Sequence, residues 1–279
     1  MSPSSDWKSP TGFHGRTAIV TGASSGLGAA LAVTLAAARA NVVLFSPETE
    51  RQQQVATQCE QAGGQALSVV GDVTRPEDCQ RLVADTVARF GQLDHLVANA
   101  GISMWARFAE VQDLAVFRRL VEVNYLGALY CVYHALPHLR QSGGMITAIT
   151  SIQGKIAVPM HTGYVASKHA LQGFCEALRL ELQGTGVGVL TVLPHWLRGT
   201  ELRQRAFGSD GRELGASSRR HSRESVPMEL ACQLIVQAMA ARRRELVIPW
   251  KLKALLVLNL LWPRRAEALI LGAVKQQDS

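Results

Sequence analysis

From Arg16 onward the sequence alternates short apolar runs with longer stretches of helical pattern, and this alternation restricts the fold most strongly. The runs are too uniformly apolar for strands with one solvent-facing side, so they indicate parallel strands covered on both faces. The predicted strands span residues 16–20, 41–45, 66–70, 93–98, 145–150 and 187–193. Strand–helix alternation of this kind predicts a doubly wound parallel α/β sheet of the Rossmann type, within a single domain.

Three segments stand apart from this pattern. Residues 1–13 are polar, lack the apolar core of a signal peptide and are expected to form a flexible tail ahead of a domain over 14–250. Residues 198–226 are rich in Arg, Ser and Gly and are interpreted as a mobile loop. Residues 251–279 form an apolar and basic C-terminal helical extension.

Composition limits the partners and the compartment. A net charge of +7 suits nucleic acid, an anionic membrane or an anionic cofactor. The arginines of the 198–226 segment lack interleaved aromatic residues and a recognised binding motif, so nucleic-acid binding is not expected. The five cysteines are widely spaced and form no metal-binding pattern, so we expect reduced thiols in a cytoplasmic protein without a metal site.

A glycine-rich turn, TGASSGLG, joins the first predicted strand to the first helix. Glycines there let the backbone approach a pyrophosphate, which then lies at the positive N-terminus of the helix. Turn residues after the third and fourth strands fall at the same edge of the sheet, where open α/β sheets bind ligands. The predicted cofactor-binding residues of these turns are Thr21, Gly22, Ser24, Ser25, Gly26, Leu27, Gly28, Asp72, Val73, Asn99, Ala100 and Gly101.

A candidate proton-transfer pair begins a later helical stretch. Tyr164 and Lys168 are four residues apart and share one helix face. We expect the ammonium to lower the pKa of the phenol, so that Tyr164 exchanges a proton with a carbonyl or alcohol oxygen. Ser151 directly follows the fifth strand, where its hydroxyl can hold the substrate oxygen. Asn124 lies in the preceding helical stretch and is either functional or a satisfied packing amide.

Together these residues resemble the short-chain dehydrogenase/reductase family in identity, order and spacing, over residues 14–250. The resemblance implies an NAD(P)-dependent oxidoreductase that moves hydride between a nicotinamide cofactor and a carbonyl or secondary alcohol. It implies a catalytic set of Asn124, Ser151, Tyr164 and Lys168, in which Asn124 anchors a water molecule and Lys168 also holds the nicotinamide ribose. A cofactor-binding regulatory protein without turnover is the alternative, and the intact catalytic set argues against it.

The segment after the sixth strand departs from the family pattern Pro-Gly-x-x-x-Thr. Here Pro194 precedes His195 instead of glycine, and Thr200 comes one position late, so the cofactor contact expected of Thr200 is open. His195 and Trp196 either narrow the pocket or only repack it locally, and local repacking is the favoured interpretation. His161 fits no metal or triad pattern and is interpreted as a packing or surface residue.

The end of the second strand bears on the choice of cofactor. An acidic residue there would bind the adenosine 2′-hydroxyl and favour NAD. The chain has Ser46, which tolerates a phosphate, so we expect NADP(H) in preference to NAD(H). Arg39 and Arg51 are candidate partners for that phosphate, although exposed helix charge explains them equally well.

The residues expected to border the substrate are mostly apolar and include no cationic pair for a carboxylate or phosphate. They are Met104, Trp105, Ile152, Gln153, Pro159, Met160, Trp196 and Leu197, beside Ser151 and Tyr164. The 198–226 segment is interpreted as the mobile substrate loop. We expect a lipophilic ketone or secondary alcohol, such as a steroid, retinoid or fatty-chain compound.

The stretch 252–262, LKALLVLNLLW, is apolar around most of a helix and has basic residues on both sides. It is much shorter than the ~20 residues that a membrane span requires. Peripheral membrane contact through 251–265 and burial in a homo-oligomer interface both explain it. A homo-oligomer is expected from the family resemblance, and peripheral membrane association remains open beside a cytoplasmic location.

Overall fold

The computed structural model describes residues 12–215 and 225–278, with side chains as far as residue 274. Within these residues seven parallel strands form one sheet, in the order β3-β2-β1-β4-β5-β6-β7. The strands are β1 (Thr17–Thr21), β2 (Asn41–Ser46), β3 (Gln65–Val70), β4 (His95–Ala98), β5 (Met145–Ile149), β6 (Gly188–Pro194) and β7 (Glu245–Ile248). The predicted doubly wound α/β fold is confirmed.

Helices cover both faces of the sheet. They are α1 (Gly26–Ala37), α2 (Thr49–Gln61), α3 (Pro76–Phe90), α4 (Ala115–Val121), α5 (Gly127–Ser142), α6 (Thr162–Glu181), α7 (Met228–Ala240), α8 (Lys253–Leu261) and α9 (Pro263–Asp278). Helices α1, α2 and α7 bury their apolar residues in one core, and α3, α5 and α6 bury theirs in the other. A one-turn π-helix, Glu122–Leu126, joins α4 to α5.

Strand β1 is central and buried on both faces, which explains the apolar residues Ala18–Val20 between its two threonines. All five residues of β1 are buried, because Val20 faces one core and the adjacent Ile19 faces the other. Successive side chains of a strand point to opposite faces, so each face demands an apolar residue in turn.

The seventh strand was not predicted from the sequence. It is only four residues long and lies between Arg242–Arg244 and Pro249. Neither its length nor an alternation of polar and apolar residues distinguishes it from a turn. Pairing with β6, with Thr191 opposite Glu245, makes it a strand. The bounds of the six predicted strands differ from those observed by one or two residues.

The two ends of the domain differ in how they meet the core. Phe13 is only 1% exposed and packs in the first core, so it belongs to the domain and not to the predicted tail. Residues 1–11 lie outside the described part of the chain. At the other end, Leu252 and Ile270 pack beside Ile152 and Leu193, which docks the predicted C-terminal helical extension next to the end of β5.

The segment predicted as a mobile loop is described over 198–215 and 225–226, whereas 216–224 lie outside the described residues. The backbone of Phe207 joins this segment to the rest of the domain through two hydrogen bonds. The Phe207 amide donates to the Ser103 carbonyl at 2.9 Å, and the Trp105 amide donates to the Phe207 carbonyl at 2.8 Å. The segment therefore lies against the loop that follows β4.

Candidate active site

A cavity of about 370 Å³ lies at the carboxyl edge of the sheet, where the strand order reverses between β1 and β4. Ligands of open α/β sheets bind at this kind of position. The loops after β1, β2, β4, β5 and β6 line the cavity together with part of the 198–215 segment. Most of the predicted cofactor residues, three of the four predicted catalytic residues and part of the predicted substrate residues therefore line one cavity.

The glycine-rich turn forms a cradle at one end of this cavity. Gly22 has a φ of +62°, and a Cβ added there would lie 2.9 Å from the Ala100 Cα. A Cβ on Gly28 would lie 2.2 Å from the Gly22 carbonyl oxygen, so α1 packs closely against the turn. Only glycine allows both the conformation and the close approach.

The N-terminus of α1 fits a phosphate group. Ser25, the residue before the helix, makes no side-chain cap, and the first turn of α1 contains no acidic residue. Its free backbone N–H groups and the helix dipole therefore favour an anion at this point. The cradle as a whole fits the pyrophosphate of a dinucleotide, which Ser24, Ser25 and Gly26 would hold.

Most of the predicted cofactor residues line the cavity. Those that do are Gly22, Ser24, Ser25, Gly26, Leu27, Ser46, Asp72, Val73, Asn99, Ala100, Gly101, Tyr164, Lys168, Pro194 and Thr200. Thr21 and Gly28 do not line the cavity but support residues that do. The Thr21 hydroxyl accepts hydrogen bonds from the amides of Asn99 and Ala100 at 3.0 Å each, which ties the end of β1 to that of β4.

Tyr164, Ser151 and Lys168 converge at the centre of the cavity. Ser151 and Tyr164 both line the cavity, and both side chains are buried. The Lys168 ammonium donates to the Ile149 carbonyl at 2.9 Å and lies 5.8 Å from the centre of the Tyr164 ring. The three side chains are therefore brought together in the arrangement that the sequence predicted.

The expected lowering of the Tyr164 pKa was wrong for the structure described. Burial raises the pKa of Tyr164 to about 12, and this effect outweighs the lowering of the pKa by the neighbouring Ser151. Burial also lowers the pKa of Lys168 to about 8. Burial disfavours the charged form of both groups, so the tyrosine is a neutral proton donor at neutral pH.

Asn124 lies behind the catalytic residues in the π-helical turn between α4 and α5 and is fully buried. Its Oδ1 accepts from the Ile102 amide at 2.8 Å, and its Nδ2 donates to the Ile102 carbonyl at 2.9 Å and to the Ser167 hydroxyl at 2.9 Å. A Cβ on Gly101 would lie 3.2 Å from Asn124 Oδ1 and 3.4 Å from Lys168 Nζ. Gly101 therefore keeps the two side chains within reach of each other.

The predicted substrate residues divide between the wall of the cavity and the packing behind it. Ile152, Gln153, Trp196 and Leu197 line the cavity. Met104 is fully buried in an apolar cluster with Leu120 and Phe207 and does not line the cavity. Trp105, Pro159 and Met160 lie outside the lining residues as well.

Three polar side chains, Gln153, His161 and His195, line the part of the cavity that lies beside Ser151 and Tyr164. Gln153 is 7% exposed, and its buried Oε1 has no hydrogen-bond partner in the described protein. His161, interpreted from sequence as a packing residue, lines the cavity and packs edge-on against Trp105 with ring centres 4.7 Å apart. His195 also lines it, and burial lowers the pKa of His195 to about 4, so its imidazole is neutral.

The part of the cavity wall next to the end of β2 contains two charged side chains, Glu48 and Arg205, that were not predicted from the sequence. Glu48 and Arg205 line the cavity beside Ser46 and form an ion pair. Glu48 comes twenty residues after the last glycine of the turn, a spacing typical of the acidic residue that binds an adenosine ribose, and this signal was available in the sequence. Arg205 gave no comparable signal, because the fold alone brings its distant segment to this corner.

The two arginines suggested as phosphate partners lie outside the cavity lining. Arg39 follows α1 at the opposite edge of the sheet, where its side chain donates to the Gly63 carbonyl at 3.2 Å, so its candidacy was wrong. Arg51 lies outside the cavity lining and forms an ion pair with Glu201 at 2.8 Å.

The doubly wound sheet with a glycine-rich turn after its first strand is typical of dinucleotide-binding proteins, and comparison with known proteins identifies the family. The family model for short chain dehydrogenases matches residues 16–210. An 11-beta-hydroxysteroid dehydrogenase of Pinus massoniana is 34% identical over 203 residues, which cover 72% of this chain and 57% of that protein. An 11-beta-hydroxysteroid dehydrogenase-like 4A of Arabidopsis thaliana is 40% identical over 182 residues, 65% of this chain and 60% of that protein. The chain belongs to the short-chain dehydrogenase family, although it spans less than two thirds of the length of these relatives.

Solved structures share the fold. A short chain dehydrogenase/reductase of Burkholderia phymatum, solved with NAD, superposes with a TM-score of 0.77 at 22% identity, over 89% of this chain and 94% of that one. An alcohol dehydrogenase of Thermococcus sibiricus, solved with 5-hydroxy-NADP, gives 0.70 at 23% identity, over 83% and 95%. At these identities the likeness shows the fold alone.

Proposed function

We propose that the protein is an NAD(P)-dependent oxidoreductase that interconverts a lipophilic ketone and its secondary alcohol. The observation that carries this proposal is that the buried side chains of Ser151, Tyr164 and Lys168 line the same cavity as the glycine-rich cradle. A protein that only binds the cofactor has no need of a buried proton donor at this place.

Each protein group has a distinct task in this proposal. The nicotinamide, when bound, supplies or accepts the hydride. Ser151 donates a hydrogen bond to the substrate oxygen and holds it against Tyr164, whose neutral phenol gives its proton to that oxygen during reduction. The Lys168 ammonium stabilises the phenolate left behind, and Asn124 holds the backbone of the neighbouring loop. In the oxidative direction the same groups act in reverse.

Gln153 supports a substrate with more than one polar group. Its buried Oε1 has no partner in the described protein, and an unsatisfied buried acceptor is costly. A hydroxyl on an otherwise apolar substrate satisfies it. Steroid-like compounds combine an apolar body with separate oxygen functions, and the names of the relatives point to the same class.

NADP(H) is proposed as the preferred cofactor. Ser46 brings no negative charge to the end of β2, and Arg205 supplies a cation in the same part of the cavity. The acidic side chain of this corner, Glu48, is already paired with Arg205.

The C-terminal helices support peripheral contact with a membrane. No residue of α8 is fully buried, and Leu260, Leu261 and Trp262 are 80%, 56% and 52% exposed. Lys251, Lys253, Arg264 and Arg265 flank this apolar surface. Apolar residues with basic flanks suit the surface of an anionic bilayer. No helix among the described residues is long and apolar enough to cross a membrane.

Sedimentation with anionic and neutral vesicles tests the membrane proposal, with Leu260→Glu as the variant. Salt-sensitive binding to anionic vesicles that the variant loses supports it. The same variant dissociating a homo-oligomer, without any vesicle binding by the parent protein, replaces it with a subunit interface.

The activity itself is tested by oxidation of NADPH and NADH, measured in parallel with a panel of steroid, retinoid and fatty-chain ketones. Turnover of a lipophilic ketone to its secondary alcohol, faster with NADPH, is the expected result. Tight cofactor binding without turnover in either direction across the panel favours the regulatory alternative.

A further inference from the structure

Four charged side chains gather where β2 leads into α2. Glu48 is ion-paired with Arg205, and Arg51 Nη1 lies 2.8 Å from Glu201 Oε2 and 3.9 Å from Glu48 Oε2. Glu48 and Arg51 belong to this corner, whereas Glu201 and Arg205 belong to the segment after β6. Two ion pairs therefore tie the predicted substrate loop to the corner.

One of these ion pairs faces the cofactor cavity. Glu48 and Arg205 both line it, together with Ser24 of the cradle and Ser46 at the end of β2. Of the other pair Glu201 lines the cavity, whereas Arg51 does not. Burial opposes ionisation of Glu48, but hydrogen bonds from Arg205 and Ser24 lower the pKa of its carboxyl below the ordinary value. Glu48 is therefore an anion at neutral pH, and Arg205 is its counter-ion.

A carboxylate and a guanidinium at this corner have opposite preferences for the adenosine ribose. A carboxylate accepts hydrogen bonds from the 2′-hydroxyl and repels a 2′-phosphate, whereas a guanidinium binds the phosphate with two parallel hydrogen bonds. The neighbouring Ser46 and Pro47 carry no charge. Arg205 is therefore the cation at this corner of the cavity wall, and its carboxylate partners there are Glu48 and, at 3.9 Å, Glu213.

We infer that Arg205 is the residue that selects for the 2′-phosphate, and that Glu48 holds it in place until a phosphorylated cofactor competes for it. This inference rests on the proposed NAD(P)-dependent function. Arg205 comes from the segment that also carries Phe207, which lines the same cavity. Capture of the phosphate by Arg205 thus fastens the substrate loop to the cofactor through a direct contact.

Binding titrations test the inference without turnover. Adenosine 2′,5′-bisphosphate and adenosine 5′-monophosphate serve as probes, because they differ only in the 2′-phosphate, and calorimetry measures the dissociation constant of each. Arg205→Met is expected to weaken the bisphosphate by about 10- to 100-fold and the monophosphate by less than threefold. Glu48→Gln is expected to tighten the bisphosphate relative to the monophosphate.

Arg51→Met is the matched control, since it breaks the other ion pair to the same segment without removing a residue of the cavity wall. Its ratio of the two dissociation constants should equal that of the parent protein. An equal loss of both probes in Arg205→Met, or an unchanged ratio in all variants that keep the parent circular dichroism spectrum, overturns the inference alone. Failure of both probes to bind the parent protein overturns the proposed function with it.

Discussion

Asn124 holds the backbone of Ile102 through two hydrogen bonds that run in opposite directions. The Ile102 amide donates to Asn124 Oδ1 at 2.8 Å, and Asn124 Nδ2 donates to the Ile102 carbonyl at 2.9 Å. Since Ile102 follows the cofactor loop after β4 and Asn124 also binds Ser167 on α6, one amide joins the cofactor side of the cavity to the catalytic helix.

Replacing Asn124 by leucine leaves buried backbone groups without partners. Each such group costs about 1–3 kcal/mol, so we expect Asn124→Leu to reduce the free energy of unfolding by about 3 kcal/mol. Urea unfolding followed by circular dichroism measures the change. Asn41→Leu is the control, because the Asn41 amide makes one long side-chain contact of 3.4 Å to Thr17, and it should lose less. Equal losses in the two variants would contradict the joining role of Asn124.

A methyl group on the first glycine of the cradle should disrupt cofactor binding. Gly22→Ala places a Cβ 2.9 Å from the Ala100 backbone at a φ of +62°, so the turn must move away from its present path. We expect the affinity for NADPH to fall at least about tenfold, measured by nicotinamide fluorescence. Gly173→Ala is the control, since nothing lies within 4 Å of the added Cβ on α6. It should leave affinity unchanged and raise stability by roughly 0.5–1 kcal/mol. Unchanged affinity in Gly22→Ala would show that the cradle is not the phosphate site.

The rate of ketone reduction should fall at alkaline pH through Lys168. The pKa of Lys168 is lowered to about 8 and that of Tyr164 is raised to about 12. As the pH rises through about 8 the ammonium loses its proton, so the phenolate formed on Tyr164 is no longer stabilised, while the phenol itself remains protonated. We expect kcat/KM to decline above that pH. Arginine stays charged, so the residual activity of Lys168→Arg should lack this decline, and an identical decline there would assign it to another group.

Stability should decrease between about pH 6.5 and pH 4 because buried histidines resist protonation. Burial lowers the pKa of His95 to about 4, below the ordinary value of 6.5, so the unfolded chain binds more protons than the folded one in this window. The contribution is fully present above the unfolded pKa and is lost at about 1.4 kcal/mol per pH unit as the pH falls. His95→Gln should therefore lose about 1–2 kcal/mol less than the parent protein between pH 6.5 and pH 5, as urea unfolding measures. If the free energies of unfolding of His95→Gln and the parent protein changed equally with pH, the pKa of His95 would be the same in the folded and unfolded states, which would contradict the prediction.

The predictable part of the molecule is the part encoded in local sequence. Six of the strands were evident because a strand covered on both faces needs a continuous apolar run, as in Val42–Phe45 of β2. The cradle and the Tyr164–Lys168 pair were evident because their chemistry needs particular residues at short spacing. β7 was missed because four residues between arginines and a proline carry no periodicity, and only its pairing with β6 defines it.

The features that local sequence does not contain are those made by distant segments. Arg205 meets Glu48 across 157 positions of sequence, so no spacing rule connects them. The pKa of Tyr164 was predicted in the wrong direction because burial, which the sequence does not state, outweighs the effect of the neighbouring Ser151. His161 was set aside because a single histidine near a helix start has no pattern, yet the fold places it on the cavity wall.

In the proposed reaction the Tyr164 hydroxyl gives its proton to the substrate oxygen while the nicotinamide, when bound, supplies the hydride. Tyr164→Phe removes only that oxygen from a ring packed in the core, so the most direct measurement compares this variant with the parent protein in both NADPH binding and steady-state ketone reduction. The account predicts an unchanged dissociation constant for NADPH and a kcat reduced by at least about 100-fold, the share of general acid catalysis. Turnover by Tyr164→Phe at the parent rate would contradict it.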